Sequence, residues 1–218
     1  MYKELKKRIF TSIILSLLLI LMYYYSYILI ISLIIITIIS WIEFQGLIEK
    51  IFNKKGNKSK ILKLLLKALI LLYLSCFSFL IFSAITYSET WFIIYLFSIC
   101  IFSDIGGFVF GKIFKGKKLT KISPNKTISG SIGSFMLSLF LAPLLYFYLE
   151  NFSITDLIIV SIVVSFFCQL GDLFISYLKR KAKVKDTGDI LPGHGGILDR
   201  IDGILFAVPV GMMMIIIL

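Results

Sequence analysis

Apolar runs long enough to cross a bilayer recur along this chain from residue 9 to residue 218, and no polar stretch of domain length separates them. A hydrocarbon core about 30 Å thick takes about 20 helical residues to cross. Residues 68–85, 91–110, 128–149 and 157–175 each read as one crossing. The opening run, 9–42, would be about 50 Å long as a single helix at 1.5 Å per residue. It therefore reads as two spans joined by a tight turn at the interfacial aromatic cluster Tyr23-Tyr24-Tyr25-Ser26-Tyr27. The last run, 204–218, is short and carries Pro209 and Gly211, so it would tilt, thin the bilayer or insert in part. With 59% hydrophobic residues, against about 45–50% in soluble domains, the expected fold class is an all-α integral membrane protein. We expect a polytopic bundle of about seven transmembrane helices in one domain.

Charge gives an independent reading of the same spans, because short cytoplasmic loops accumulate Lys and Arg. With seven spans and a cytoplasmic N-terminus, segments 1–8, 49–67, 112–126 and 179–200 fall inside and hold all 23 Lys and Arg residues. The opposite loops carry only acids, Glu89 in one and Glu150 with Asp156 in the other. Lys3, Lys6, Lys7 and Arg8 before the first run imitate a secretory signal. That run outlasts an h-region of about 7–15 residues and no A-x-A-like site follows it, so it reads as retained. Net charge +11 does not point to nucleic acid, because no folded soluble module presents a basic face. Cys76, Cys100 and Cys168 lie in apolar runs without metal-ligand spacing and read as packing residues.

Attraction to anionic lipid explains basic residues at the inner surface but not the acids among them. Asp104 ends the fourth span and Asp172 lies in the sixth, both toward the inner face. Carboxylates in a bilayer usually face a cavity, a partner or an ion, and Gln169 shares a helix face with Asp172. In the loop "KDTGDILPGHGGILDRIDG", Asp186, Asp189, Asp199 and Asp202 fall within 17 residues. Helical from Leu198 on, the loop would set Asp199 and Asp202 three apart on one face. Two carboxylates 4 Å apart repel by about 4 kcal/mol at an effective dielectric of 20, a penalty that a divalent cation removes. Oxygen-only ligands favour Mg²⁺, Mn²⁺ or Ca²⁺ over zinc. The glycines around His194, Gly195 and Gly196 among them, allow backbone amides to approach an anion. Lys179, Arg180, Lys185 and Arg200 beside them point to phosphate. The other inner loop adds Ser123, Lys126 and Thr127 as phosphate or hydroxyl contacts, with no P-loop motif. Its "GSIGS" reads equally as close helix packing.

The stretch "SYLKRKAKVKDTGDILPGHGGILDRID" resembles the signature of the phosphatidate cytidylyltransferases, the CDP-diacylglycerol synthases. "QLGDL", "ISPNKT" and "SDIGGFVFGK" resemble the same family's other recurrent segments, so the likeness covers about residues 103–203. It implies that phosphatidic acid attacks the α-phosphorus of CTP, giving CDP-diacylglycerol and pyrophosphate with Mg²⁺ required and a second cation left open. Asp172, Asp199 and Asp202 would hold the metal, with Asp186 and Asp104 as further ligands. Lys179, Arg180, Lys185 and Arg200 would hold phosphates and His194 would orient one. Ser123, Lys126, Thr127, Gly195 and Gly196 would bind substrate. On this reading 91–218 is the catalytic part, with cytoplasmic loops 111–127 and 176–203, and 1–90 supplies the N-terminal spans. The partners would be CTP, phosphatidic acid and membrane lipids, with homodimerisation left open, in a bacterial inner membrane with the site facing the cytoplasm. Two positions depart from the pattern: Ser129 and Ile175 stand where such proteins commonly have Glu. A CTP-dependent lipid kinase is the alternative chemistry. A transporter is the alternative class, although no paired internal repeats are visible.

Overall fold

The computed structural model describes residues 2–52, 57–86, 90–120, 122–149, 151–190 and 195–218. Among the described residues there are seven α-helices, one 3-10 turn and no named strand: α1 Tyr2–Tyr24, α2 Ser26–Ile51, α3 Asn57–Thr86, α4 Thr90–Phe114, α5 Ile128–Leu145, α6 Ile154–Lys181 and α7 Leu198–Ile217. The 3-10 turn, Tyr146–Tyr148, prolongs α5. Each span read from the sequence has become one helix, as a medium without water requires: backbone N–H and C=O groups find partners there only within the segment.

Five helical stretches are long and apolar enough to cross a membrane among the described residues: Ser26–Ile51, Lys60–Thr86, Thr90–Phe114, Ile128–Tyr148 and Ile154–Lys181. The apolar part of α1, Ile13–Tyr24, is shorter. The start of α7 is polar, with Asp199, Arg200 and Asp202, and this leaves the short apolar remainder foreseen for the last run. The break between the first two helices falls at Tyr25, inside the aromatic cluster. Its backbone is extended, its N–H donates to Leu21 O and its carbonyl accepts from Leu29 N, closing one helix and starting the next. Large apolar side chains such as Ile34, Leu64, Phe79, Ile132 and Phe140 point outward at 53–69% exposure. A water-soluble surface rarely presents so much apolar area, whereas lipid accepts it. The chain is an all-α polytopic membrane protein.

Its contacts fall into two units, Met1–Phe82 with Leu178–Ile201, and Ser83–Tyr177 with Asp202–Leu218. In the first, α2 meets α3 through Thr37 Oγ1 and Ser78 Oγ, 2.6 Å apart, and through Trp41 Nε1, which donates to Lys67 O at 3.1 Å. Leu29, Leu33, Phe44, Leu47, Leu74 and Phe77 fill the space around them.

In the second unit α4 and α5 approach so closely that glycine is obligatory. A Cβ at Gly106 would lie 2.4 Å from Gly133 O, and one at Gly133 would lie 2.4 Å from the Phe110 Cβ. The small-residue reading of "GSIGS" is thereby borne out. Interhelical hydrogen bonds add to this packing: Ser134 Oγ donates to Ser103 O at 2.6 Å, Ser103 and Ser165 hydroxyls lie 3.0 Å apart, and Tyr95 OH donates to Leu157 O at 2.8 Å. Small residues and hydroxyls are what association between helices in lipid relies on, since burial of apolar surface drives little there. Between α6 and α7, Gly203 faces Cys168, where a Cβ would come within 2.6 Å of Sγ. Cys100 and Cys168 are buried here, consistent with packing residues, and Cys76 is exposed on α3.

Candidate active site

The loop that joins α4 to α5 folds back on itself. Lys118 and Thr127 form an isolated antiparallel bridge, Leu119 N donates to Lys126 O at 2.8 Å, and Ile128 N donates to Lys117 O at 2.9 Å. A tight turn follows from Pro124, with Lys126 N donating to Ser123 O at 3.1 Å. Thr127 ends the loop as the N-cap of α5: its backbone is extended and its hydroxyl accepts from Gly130 N at 3.1 Å. Such a cap satisfies one of the orphan amides at a helix start. The fold-back turns the loop toward the ends of α4 and α6.

There a cavity of about 280 Å³ is lined by Asp104 from α4, Ser123, Asn125, Lys126 and Thr127 from the loop, and Gln169 and Asp172 from α6. Five of the residues singled out in the sequence, Asp104, Ser123, Lys126, Thr127 and Asp172, thus share one wall-to-wall space. The Lys126 ammonium is paired with the Asp172 carboxylate, both partly exposed. Ser176 Oγ donates to the other Asp172 oxygen at 3.3 Å, and Ser131 Oγ donates to Gln169 Oε1. A cation and two carboxylates in a cavity among apolar helices form an arrangement that can take up a phosphate and a metal together.

The predicted residues of the first unit lie on the last turn of α6, on the segment that follows it and on the first turn of α7. Lys179 Nζ donates to Asp199 Oδ1 at 2.6 Å, with side chains only 16% and 8% exposed. Asp199 Oδ2 accepts from Thr187 N at 2.8 Å and from Gly196 N at 3.2 Å. Burial alone would raise its pKa; the Lys179 hydrogen bond and these two amides outweigh burial and hold the carboxyl below the usual carboxylate range. Gly195 has φ +82°, and a Cβ there would lie 3.1 Å from Asp199 Oδ2 and 3.5 Å from the Asp186 Cβ. Gly196 is buried and its amide is directed at a carboxylate. Arg180, Lys185 and Asp186 are exposed, as is Arg200 on the first turn of α7. Asp202, in the second unit, accepts from Gly203 N at 2.9 Å. His194, with Pro192 and Gly193, lies outside the described residues, as do Glu89 and Glu150.

The residue that the sequence reading missed is Glu43 on α2, 5% exposed. Its Oε1 accepts from Ile197 N at 3.0 Å, and its Oε2 accepts from Leu198 N at 2.9 Å and from Thr187 Oγ1 at 2.8 Å. An acid inside the apolar stretch "IISWIEFQGL" is the signal that could have found it.

Among the described residues no three His, Cys, Asp or Glu side chains form a group that could hold a metal ion unaided. Mg²⁺ does not require one, since it is typically bound by one or two carboxylates together with substrate phosphates. Asp104 and Asp172 bring two carboxylates to one cavity, which fits that requirement.

The sequence model of the cytidylyltransferase family matches residues 1–218. The chain belongs to this family. Its relatives include proteins named phosphatidate cytidylyltransferase. That of Staphylococcus haemolyticus (strain JCSC1435) is 46% identical over 120 residues, covering 54% of this chain and 46% of the relative. That of Staphylococcus aureus (strain COL) is 49% identical over 121 residues, with the same shares. That of Rickettsia typhi is 42% identical over 123 residues, covering 53% of this chain and 52% of the relative. The chain spans about half the length of the curated relatives it matches. In this member of the cytidylyltransferase family the two positions without the expected Glu have local roles of their own. Ser129 Oγ accepts from Gly116 N at 3.2 Å and lies 3.1 Å from Thr127 Oγ1, while Ile175 is fully buried in the second unit's core.

Proposed function

We propose that this protein transfers CMP from CTP to phosphatidic acid, giving CDP-diacylglycerol and pyrophosphate. The observation that carries the proposal is the cavity in which Lys126 and Asp172 face Asp104 beside the Ser123 and Thr127 hydroxyls, in a chain of the cytidylyltransferase family. A phosphate oxygen of the lipid forms a bond to the α-phosphorus of CTP, the bond to the β-phosphate oxygen breaks, and pyrophosphate leaves with that electron pair. A phosphate monoester is already anionic, so the protein needs no nucleophile of its own. Its work is positioning and charge neutralisation.

Lys126 exchanges its carboxylate partner for a phosphate oxygen as substrate enters, which leaves Asp172 available as a ligand. Asp172 and Asp104 are the first candidates to hold Mg²⁺; Asp199, Asp202 and Asp186 are the others read from the sequence. The bound cation would neutralise phosphate oxygens and stabilise the leaving pyrophosphate. Ser123 and Thr127 donate hydroxyl hydrogen bonds to phosphate. Arg180, Lys185 and Arg200, with Lys179 and His194, are the further phosphate partners read from the sequence, and Gly195 and Gly196 the further substrate contacts. The Lys and Arg distribution and the bacterial relatives support an inner-membrane protein with its site on the cytoplasmic side. There the lipid phosphate and water-borne CTP meet, and a homodimer is compatible with that placement.

The test is purified protein in detergent with phosphatidic acid, Mg²⁺ and CTP radiolabelled at the α-phosphate, with and without chelator. We expect label in the lipid phase that depends on both metal and phosphatidic acid. Lipid labelled only from the γ-phosphate of CTP would replace the proposal with a lipid kinase, and no label from folded protein would overturn both.

A further inference from the structure

Glu43 sits far from the loop in sequence, 144 positions before Thr187 and 155 before Leu198, yet three of that segment's donors converge on its carboxylate. Two of them, Ile197 N and Leu198 N, belong to the start of α7, where backbone amides lack intrahelical partners and the helix dipole favours negative charge. The third, Thr187 Oγ1, lies 2.8 Å from Glu43 Oε2 and also 3.0 Å from Asp199 Oδ2. One hydroxyl therefore joins the carboxylate of α2 to that of α7. The backbone has been shaped around this contact: a Cβ at Gly188 would lie 2.8 Å from Glu43 Oε1, and one at Gly196 would lie 2.5 Å from Glu43 Oε2 and 2.2 Å from Thr187 Oγ1. No larger residue fits at either glycine while Glu43 keeps its place.

We infer that Glu43 is a positioning residue for Thr187 and for residues 195–199: through Thr187 and the first amides of α7 it sets the place of Asp199, and with it the Lys179 side chain. Its contacts are to backbone and to Thr187, and it acts on substrate only through them. The consequence for catalysis rests on the proposed CMP transfer, whereas the consequence for loop order does not. Glutamine in place of Glu43 keeps the volume but turns one acceptor into an N–H donor, aimed at N–H or O–H groups that already donate. Thr187→Val likewise keeps the volume and removes the shared hydroxyl, while Thr187→Ser restores it.

The experiment is hydrogen exchange of the whole 218-residue chain in detergent, reading the amides of 186–190 and 195–198, beside the labelled-CTP assay. For Glu43→Gln and Thr187→Val we expect exchange at those amides to rise at least about tenfold, with α4 and α5 unchanged, and kcat to fall at least about tenfold with KM for CTP altered less than about threefold. Thr187→Ser should restore both readings. Wild-type exchange rates in both Glu43→Gln and Thr187→Val would overturn the inference, as would faster exchange throughout the molecule with no local excess. Should Glu43→Gln fail to fold, Thr187→Val and its Ser rescue decide by themselves. Wild-type protein that transfers no label would sink the proposed activity, and exchange would still decide the role of Glu43.

Discussion

Asp199 and Asp172 are both paired with a lysine, and the difference in their burial predicts different consequences. Asp199 is 8% exposed, with Lys179 and two amides around it. Breaking a buried pair by removing one partner typically costs about 3–5 kcal/mol. Lys179→Met should accordingly lower stability by about that much, measured by denaturant titration in detergent. Asp199→Asn should reduce transfer at least a hundredfold while membrane insertion is kept; normal turnover would remove Asp199 from the site. Its pKa lies below that of the unfolded chain, about 3.9. The stabilisation is therefore fully present above the unfolded value and is lost only as pH falls through the folded one. Protection factors of the Thr187 and Gly196 amides, corrected for intrinsic exchange, should be flat from about pH 8 to 5 and fall only below about pH 4. A fall between pH 7 and 5 would mean a raised pKa. The Lys126–Asp172 pair is more exposed, at 23% and 32%, and such pairs contribute about 0–1 kcal/mol. Lys126→Met should hardly move stability and still reduce transfer at least tenfold, a separation that an incidental ion pair would not show.

The element most dependent on its exact residues is the α4–α5 pair. Where a Cβ would meet backbone, the helices themselves must move, and overpacking costs about 1–3 kcal/mol or more. Gly106→Leu should therefore destabilise the protein by at least that much, seen as a lower denaturation midpoint, and should open the cavity whose wall α4 and α5 form. Gly46 in α2 has nothing within 4 Å of an added Cβ. Gly46→Ala should be neutral or stabilise by up to about 1 kcal/mol from helix propensity. If both variants behave alike, the close approach of α4 and α5 is not what their glycines are for. The 115–127 loop is organised differently, by main-chain bonds and the Thr127 cap.

Across the whole molecule the basic segments predict which side faces the cytoplasm. With Cys76 replaced by Ala, a cysteine at Asn151 should react with a membrane-impermeant maleimide on intact spheroplasts. One at Lys117 should react only after permeabilisation. Labelling of Lys117→Cys from outside would invert the topology and place the cavity on the wrong side for CTP.

The helices, their order and the break at Tyr25 could be read from residue order, because a bilayer supplies no hydrogen bonds and leaves a long apolar segment only the helix. The polar residues at the span ends could be read too, since their cost in lipid marks them wherever they stand. Which carboxylate takes which partner could not. Asp172 meets Lys126 from another loop, Asp199 meets Lys179 across 20 positions, and Glu43 reaches the start of α7 across 155. Thr127 and Gly196, taken from the sequence as substrate contacts, have internal duties that the sequence did not reveal, one as a helix cap and the other as an amide donor to Asp199. Such pairings depend on how helices cross and loops fold back, and hydrogen bonds act only over about 3 Å. Order along a chain does not carry that information; packing in three dimensions does.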